Sequence, residues 1–277
     1  MKQLTKRVIS ASIAVPVIVM AYYNIVTFSI LVSTIIFLSI TEYFNIVRMR
    51  DPALDLFYYI ILLFCSIFPV FFFAFFTNLG YKNLIVIYQI ILFFMGQYAI
   101  IERETTTLPY RLGSVWLGIF YIGVNLSIFI PIYLDFGLSY ALEVLMAVWV
   151  FDISAYFIGS NLGKHQLFPS ISPHKTYEGL IGGFLGAFVF FLLYPYVVEP
   201  IFGKFYIAGW YHALLLAGML SFTDTMGDLM ESKMKRDVNI KDAGFIMPGH
   251  GGMLDRVDGL VFTVPFYFMY LTLFIGK

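Results

Sequence analysis

Long apolar runs separated by short polar connections dominate this chain and restrict its fold more than any other feature. A helix needs about 20 apolar residues to span the hydrocarbon core of a bilayer, and runs of that length follow one another along the whole sequence. Hydrophobic residues make up 60% of the 277 residues and charged residues only 12%, about half the charged share of a soluble domain. The chain is therefore predicted to be an integral membrane protein.

The apolar runs are predicted to be transmembrane helices. Backbone amides in lipid must find hydrogen-bond partners within their own segment, which a helix provides. The runs show no alternation of apolar and polar residues, which argues against a β-barrel. We predict an all-α, polytopic transmembrane bundle of about nine spans. The spans are placed near residues 8–23, 25–47, 56–76, 83–101, 112–134, 138–160, 178–199, 206–232 and 254–276.

Basic residues are distributed unevenly between the two sides of the predicted bundle. If the N-terminus is inside, the outer segments contain only Lys82, Lys204 and Lys277, and every other Lys and Arg lies on the inner side. Positively charged connections stay in the cytoplasm. The pattern predicts an inside N-terminus, an outside C-terminus and an odd number of spans. We expect the membrane to be a bacterial cytoplasmic membrane.

The two halves of the chain differ in polarity. Residues 1–137 are predicted to form an N-terminal region of about five spans, whereas residues 138–277 carry acids within spans and polar loops on the inner side. We predict that the second region is catalytic and that its active-site loops face the cytoplasm. A formal net charge of zero argues against a nucleic-acid partner. Glu42, in the first region, is expected only to reach the interface or to pair with a basic residue.

Polar residues recur every three or four positions along the eighth predicted span, a spacing that places them on one face of a helix. The stripe consists of Ser221, Asp224, Asp228, Glu231 or Ser232, and Lys235. Carboxylates one turn apart in an apolar span repel each other and are costly unless they are paired or bind a metal. The pattern favours Mg²⁺, because the available ligands are oxygens. Neutralisation by Lys or Arg from another helix is the alternative.

A glycine-rich loop precedes the last predicted span. The glycines around His250, including Gly251 and Gly252, allow backbone amides to turn towards an anion such as phosphate. Asp255 and Asp258 follow one helical turn apart and are expected to complete the metal site. Basic residues in the same region supply enough positive charge for a triphosphate. They are Lys233, Lys235, Arg236, Lys241 and Arg256.

A third polar segment joins the sixth and seventh predicted spans. Asp152 is an acid within the sixth span, and Ser172, Lys175 and Thr176 in the following loop are placed to hold a phosphate or nucleotide. The alternative is that Thr176 caps the next helix and that Lys175 follows the positive-inside bias. A stripe of small residues then predicts close helix packing. It consists of Gly179, Gly182, Gly183 and Gly186.

These segments resemble the characteristic blocks of the phosphatidate cytidylyltransferases, or CDP-diacylglycerol synthases. The C-terminal block is similar over Ser232-Lys-Met-Lys235-Arg236, Lys241-Asp242-x-Gly244 and Pro248-Gly-His250-Gly251-Gly252-Met-Leu-Asp255-Arg256-Val-Asp258. Upstream, the similar blocks are Asp152-x-x-Ala-Tyr156 and Ser172-Pro173-x-Lys175-Thr176-x-Glu178-Gly179. The resemblance covers about residues 150–260. Met247 and His174 depart from the family pattern, where a branched aliphatic and a basic residue are expected.

The resemblance implies a reaction of CTP with phosphatidate that gives CDP-diacylglycerol and diphosphate, with Mg²⁺ required and a homodimer as the assembly. Together with the patterns above, it predicts the metal ligands Asp228, Asp255 and Asp224, with Asp152 and Asp258 as further candidates. The predicted catalytic residues are Asp228, Asp255, Lys235 and Arg256. The predicted ligands of the substrate phosphates are Ser172, Lys175, Thr176, Ser232, Arg236, Lys241, His250, Gly251 and Gly252.

Other functions are less consistent with the sequence. A CTP-dependent kinase of polyprenol or diacylglycerol is the main alternative, and it would transfer a phosphoryl group in place of a nucleotidyl group. A CDP-alcohol phosphotransferase should carry an Asp-Gly-x-x-Ala-Arg run, but Asp258-Gly259 is followed by Leu-Val-Phe-Thr. A secondary transporter is the weakest alternative, because the chain shows no internal repeat and its polar residues gather at the inner interface.

Overall fold

Long helices form nearly all of the computed structural model, which describes residues 24–75, 89, 108–202, 209–244 and 251–276. The helices are α1 (Ile25–Arg50), α2 (Leu56–Phe75), α3 (Leu108–Phe136), α4 (Leu138–Leu162), α5 (Tyr177–Phe202), α6 (Trp210–Asp237) and α7 (Leu254–Phe274). Two stretches of α3 are π-helical, Ile119–Val124 and Ile132–Phe136. A short antiparallel hairpin joins α4 to α5, and its strands are β1 (Gln166–Phe168) and β2 (Ser172–Thr176).

Six of the described helices are long and apolar enough to cross a membrane. They are α1, α2, α3, α4, α5 and α7, and each begins and ends within a few residues of a predicted span. α6 forms the helix predicted near residues 206–232, but it is not among the six, because its second half carries the charged stripe. The predicted spans 8–23 and 83–101 lie outside the described residues. The chain is thus a polytopic helical membrane protein.

The described residues are mostly helical, as the all-α prediction required, and the short hairpin between α4 and α5 is a local exception to it. Gln166 pairs with Thr176, and Phe168 pairs with Ser172. Pro173 has no backbone N–H, and it restricts the preceding Ser172 to extended backbone. The polar connection between α4 and α5 therefore cannot continue as helix, and it forms two short strands.

The hairpin is held against the start of α5 by two side chains. Glu178 accepts hydrogen bonds from the backbone N–H groups of Lys164 and His165, at 3.1 and 3.2 Å. Thr176 Oγ1 accepts a hydrogen bond from the N–H of Gly179 at 3.1 Å and so caps α5. The capping role that the sequence left open for Thr176 is confirmed. These contacts fix β2, and with it Lys175, at the end of the helix.

One compact unit comprises Ile132–Asp242 and Asp255–Lys277. Within it, α4 and α5 approach each other along the glycine stripe. A Cβ added to Gly183 would lie 2.6 Å from the ring of Phe151, and one added to Gly182 would lie 2.5 Å from the side chain of Ile158. The predicted close packing of these glycines is confirmed, because only the absence of a side chain lets the helices come so near.

The other unit comprises Met1–Pro131 and Ala243–Leu254. Tyr43 on α1 donates a hydrogen bond to the carbonyl oxygen of Ser114 on α3 at 2.8 Å. Arg111, only 1% exposed, pairs with Asp51 at 2.6 Å, so its charge is satisfied within the unit. The predicted division into residues 1–137 and 138–277 separates a non-catalytic from a catalytic region. The two compact units do not test it, and it stays a prediction.

Candidate functional site

The polar stripe predicted on the eighth span lies on α6, and most of it is buried. Asp224 is 2% exposed and Ser221 is 7% exposed, as expected for one face of a packed helix. Asp228 differs, since its side chain is 32% exposed. Of the carboxylates in the stripe, Asp224 is therefore shielded by the protein, whereas Asp228 is open enough to meet a ligand.

Asp228 is bound by Lys175, which comes from strand β2. The ammonium group lies 2.6 Å from Asp228 Oδ2, and Ser232 Oγ donates a hydrogen bond to Asp228 Oδ1 at 3.0 Å. Burial by itself would lower the pKa of Lys175, but Asp228, Asp224 and Asp258 outweigh it and raise the pKa above its usual value. Neutralisation by a basic residue, the alternative left open by the sequence, thus applies to Asp228, although the base comes from a strand and not from a helix.

Acids from three helices share the surroundings of this ion pair. Asp152 on α4 interacts electrostatically with Asp228, Lys175 and Arg256. Asp224 on α6 interacts with Asp152 and with Asp258 on α7. Four carboxylates therefore lie in one electrostatic environment. The structure brings together Asp228, Asp224 and both of the further candidates, Asp152 and Asp258.

Close contact between α6 and α7 makes this cluster of acids possible. A Cβ added to Gly259 would overlap Asp224 Oδ1, and one added to Gly227 would overlap the carbonyl oxygen of Asp258. Asp258 Oδ1 accepts a hydrogen bond from the N–H of Gly259 at 2.9 Å. Glycine is thus required at both positions so that the two acidic helices can cross.

Asp255 pairs with a different lysine. Lys235 lies 2.6 Å from Asp255 Oδ1 and also contacts the carboxylate of Glu231, which is fully buried. The described ion pairs of Asp228 and Asp255 therefore involve different lysines. Glu231 was predicted to lie in the stripe but not in the site. Its spacing of four residues from Lys235 is the signal that could have identified it.

A cavity of about 480 Å³ opens beside the Lys175–Asp228 pair. Its lining includes the polar residues Asp152, Lys175, Thr176 and Asp228, together with apolar residues of α4 and α5. His174, noted above as a departure from the family pattern, also lines it. The cavity is therefore polar where Lys175 and the acids meet, and apolar elsewhere, as suits an amphiphilic or nucleotide substrate.

The remaining predicted phosphate ligands lie in varied environments. Ser172 belongs to strand β2. Arg236 is exposed and donates a hydrogen bond to the carbonyl oxygen of Ile240 at 3.1 Å. Lys241 is exposed, and Arg256 is exposed as well. His250 lies outside the described residues.

The start of α7, predicted to receive a phosphate, receives a carboxylate from α1. Glu42 accepts hydrogen bonds from the N–H groups of Met253 and Leu254, at 3.0 and 2.8 Å. Its side chain is buried within the protein. Gly251 adopts a positive φ of 82°, which explains a glycine there. Gly252 is close to the Glu42 carboxylate.

Among the residues that the structure describes, no group of three or more His, Cys, Asp or Glu side chains is arranged to hold a metal ion. Mg²⁺ is commonly bound by one or two carboxylates together with substrate phosphates and water. The donor atoms of the acid cluster suit such a site, because all are carboxylate oxygens, and all four acids interact with Lys175.

The described helices thus bring acids, lysines and a partly polar cavity together. Residues 5–274 match the model of the cytidylyltransferase family. The chain belongs to that family and is a nucleotidyltransferase.

Three relatives are named phosphatidate cytidylyltransferase. The protein of Thermotoga maritima is 36% identical over 96% of this chain and 95% of its own length. That of Bacillus subtilis is 39% identical over 64% of each chain. That of Staphylococcus saprophyticus is 45% identical over 47% of each chain. The similarity to the first of these relatives thus extends over nearly the whole chain, including the N-terminal region where no motif was recognised.

Proposed function

We propose that this protein is a phosphatidate cytidylyltransferase of phospholipid biosynthesis. A phosphate oxygen of phosphatidate attacks the α-phosphorus of CTP, the bond from that phosphorus to the β-phosphate oxygen breaks, and diphosphate leaves. The products are CDP-diacylglycerol and diphosphate. The observation that carries the proposal is the Lys175–Asp228 pair in the wall of a cavity, within a chain similar over 96% of its length to an enzyme of that name.

The proposed chemistry depends on charge rather than on a general base. A phosphate monoester is already anionic at neutral pH, so the protein must bring two anions together and neutralise the leaving diphosphate. Lys175 is placed at the cavity for the first task. Lys235, Arg236 and Arg256 are proposed for the second, together with the amides of Gly251 and Gly252.

We propose that the enzyme requires Mg²⁺, with Asp228 as its principal protein ligand. Asp224, Asp152 and Asp258 share the surroundings of Asp228, which supports them as further ligands. Asp255 remains a proposed ligand, although its pairing with Lys235 also allows it to act through that lysine. A bound Mg²⁺ ion would neutralise phosphate oxygens as a Lewis acid. Lys175 would then be free to contact substrate phosphate in place of Asp228.

The proposed topology has nine spans, a cytoplasmic N-terminus and an active site that faces the cytoplasm of a bacterial cell. CTP would reach the site from the cytoplasm, and phosphatidate would enter from the bilayer. The uneven distribution of Lys and Arg supports this orientation. A homodimer is also proposed, on the family resemblance alone. Residues 1–137 and 138–277 are proposed as the N-terminal and catalytic regions.

The reaction can be tested with purified protein, phosphatidate and CTP labelled either at the α- or at the γ-phosphate. We expect the α-label to appear in the lipid and the γ-label in diphosphate. EDTA should abolish the transfer and added Mg²⁺ should restore it, because two polyanions must approach each other. Transfer of the γ-label to the lipid, with release of CDP, would instead establish a lipid kinase.

The topology can be tested at the two ends of α6. In a Cys65→Ala background, Trp210→Cys places a thiol at the predicted outer end and Lys241→Cys places one in the connection after the helix. Both native residues are exposed, so a thiol at either position should be accessible from its own side. In intact cells we expect a membrane-impermeant maleimide to label position 210 and not position 241. The reverse pattern would overturn the orientation and the proposed route of CTP.

A further inference from the structure

Glu42 is a buried acid on α1, far in sequence from every motif described above. Its side chain is 3% exposed. One carboxylate oxygen accepts a hydrogen bond from the N–H of Met253 and the other accepts one from the N–H of Leu254. A carboxylate removed from water is costly unless such hydrogen bonds replace hydration. The contact is therefore a specific attachment of α1 to the segment that ends at Leu254.

The attachment uses backbone groups that need a partner. The first N–H groups of a helix have no acceptor within the helix, and they carry the positive end of its dipole. Leu254 is the first residue of α7, so the carboxylate of Glu42 meets both needs at once. The N–H groups of Met253 and Leu254 are thus hydrogen-bonded to Glu42. The predicted contacts with phosphate are therefore left to the N–H groups of Gly251 and Gly252.

Two glycines of the same segment fit around this carboxylate. A Cβ added to Gly244 would lie 2.7 Å from Glu42 Cδ, and one added to Gly252 would lie at the same distance from it. Neither glycine has a positive φ, whereas Gly251 does. Space beside Glu42, rather than backbone conformation, thus explains glycine at positions 244 and 252.

We infer that Glu42 is a positioning residue that holds Gly244 and the described residues Gly251–Leu254 in place, and that the enzyme needs this contact to bind CTP. The inference rests on the proposed function, because Gly251 and Gly252 are proposed phosphate ligands and Asp255 follows Leu254 directly in the chain. The inference gives the N-terminal region a role in the reaction, although no site residue was predicted there.

Substitutions at position 42 test the inference through kcat/KM for CTP. Glu42→Ala should lower kcat/KM for CTP roughly 100-fold, because two charge-assisted hydrogen bonds to the segment are lost. Glu42→Asp keeps both acceptors and should retain activity within about tenfold. Glu42→Gln keeps the side-chain volume but offers only one acceptor oxygen. Its kcat/KM should therefore lie between the values of Glu42→Ala and Glu42→Asp. Thr41→Ser, one position away on α1, is the control; it keeps the hydroxyl that hydrogen-bonds with Tyr59 at 3.0 Å and should match the wild type.

A double-mutant cycle tests whether Gly244 is glycine because of Glu42. Gly244→Ala should impair CTP use in the wild-type background and have a smaller effect in the Glu42→Ala background, where the obstructing carboxylate is gone. Gly137→Ala is the control, because Gly137 lies outside this segment and its cost arises from a positive φ of 102° alone, so it should be the same in both backgrounds. Equal effects of Gly244→Ala in both backgrounds would contradict the inference.

Hydrogen exchange of the substrate-free protein separates this inference from the proposed function. The amides of Met253 and Leu254 should exchange faster in Glu42→Ala than in the wild type, whether or not the enzyme uses CTP. If the wild type transfers no cytidylyl group, the proposed function fails, and exchange alone decides whether Glu42 holds the segment. The inference is overturned by unchanged exchange, or by Glu42→Ala protein that loses only thermal stability while kcat/KM per folded molecule is unchanged.

Discussion

An Asp228→Asn variant is expected to turn over CTP roughly a thousand-fold more slowly than the wild type. Asparagine keeps the shape of the side chain but removes the charge that binds Lys175 at 2.6 Å and the proposed oxygen ligand of Mg²⁺. Ser232 Oγ can still donate a hydrogen bond to the remaining oxygen, so the local structure should persist. The measurement is the initial rate of CMP transfer to phosphatidate, with Mg²⁺ titrated at saturating CTP.

Asp237→Asn is the matched control for this variant. It makes the same chemical change at the exposed end of the same helix, and it should leave the rate within about twofold of the wild type. Asp255→Asn should also reduce turnover strongly. If Asp255 binds the metal, this variant will need more Mg²⁺ for half-maximal rate; if it acts through Lys235, its Mg²⁺ dependence will match the wild type. Near-native turnover by Asp228→Asn and Asp255→Asn at limiting Mg²⁺ would contradict the assignment and point to Asp152 and Asp258.

Lys235→Met is expected to lower the free energy of unfolding by about 3–5 kcal/mol, the usual cost of removing one partner from a buried ion pair. Lys235 contacts both Glu231, which is fully buried, and Asp255. Methionine fills a similar volume, so the loss arises mainly from two carboxylates left without their cation. The free energy can be measured by denaturant titration in mixed micelles, with intrinsic fluorescence as the signal.

Lys233→Met is the control, because Lys233 is exposed on the same helix two residues away. Its free energy of unfolding should stay within about 0.5 kcal/mol of the wild type. The double variant Glu231→Gln/Lys235→Met should recover part of the stability lost in Lys235→Met, since one buried charge is removed. If Lys235→Met is as stable as the wild type, the three charges do not form the coupled group described here.

The helical spans were predictable because hydropathy is a local property of each segment. A run of about 20 apolar residues in lipid must satisfy its backbone internally, whichever segments lie beside it. The six described apolar helices therefore match the predicted spans closely. The hairpin between α4 and α5 was not predicted, since it lies in a polar connection where proline chemistry and cross-strand pairing decide the conformation.

The candidate site was predictable to the extent that it follows helical spacing. The stripe of Ser221, Asp224, Asp228 and Lys235 lies along one helix, as the spacing of three or four residues required. The glycine stripe of α5 likewise packs against α4 as predicted. Family resemblance supplied the reaction, and the match over residues 5–274 confirms the family.

The partners of these residues depend on contacts between distant segments, and no local pattern contains them. Lys175 and Asp228 come from a strand and a helix on different parts of the chain, and Glu42 reaches amides 211 and 212 residues further on. Spacing shows which side chains share a helix face, but only the packing of one element against another decides which opposite charge or free amide lies opposite. The residue types of the candidate site and the enzyme class could thus be predicted from the sequence. The pairing of Asp228 with Lys175, of Asp255 with Lys235 and of Glu42 with the start of α7 required the tertiary structure, because a buried charge takes the partner that packing places beside it.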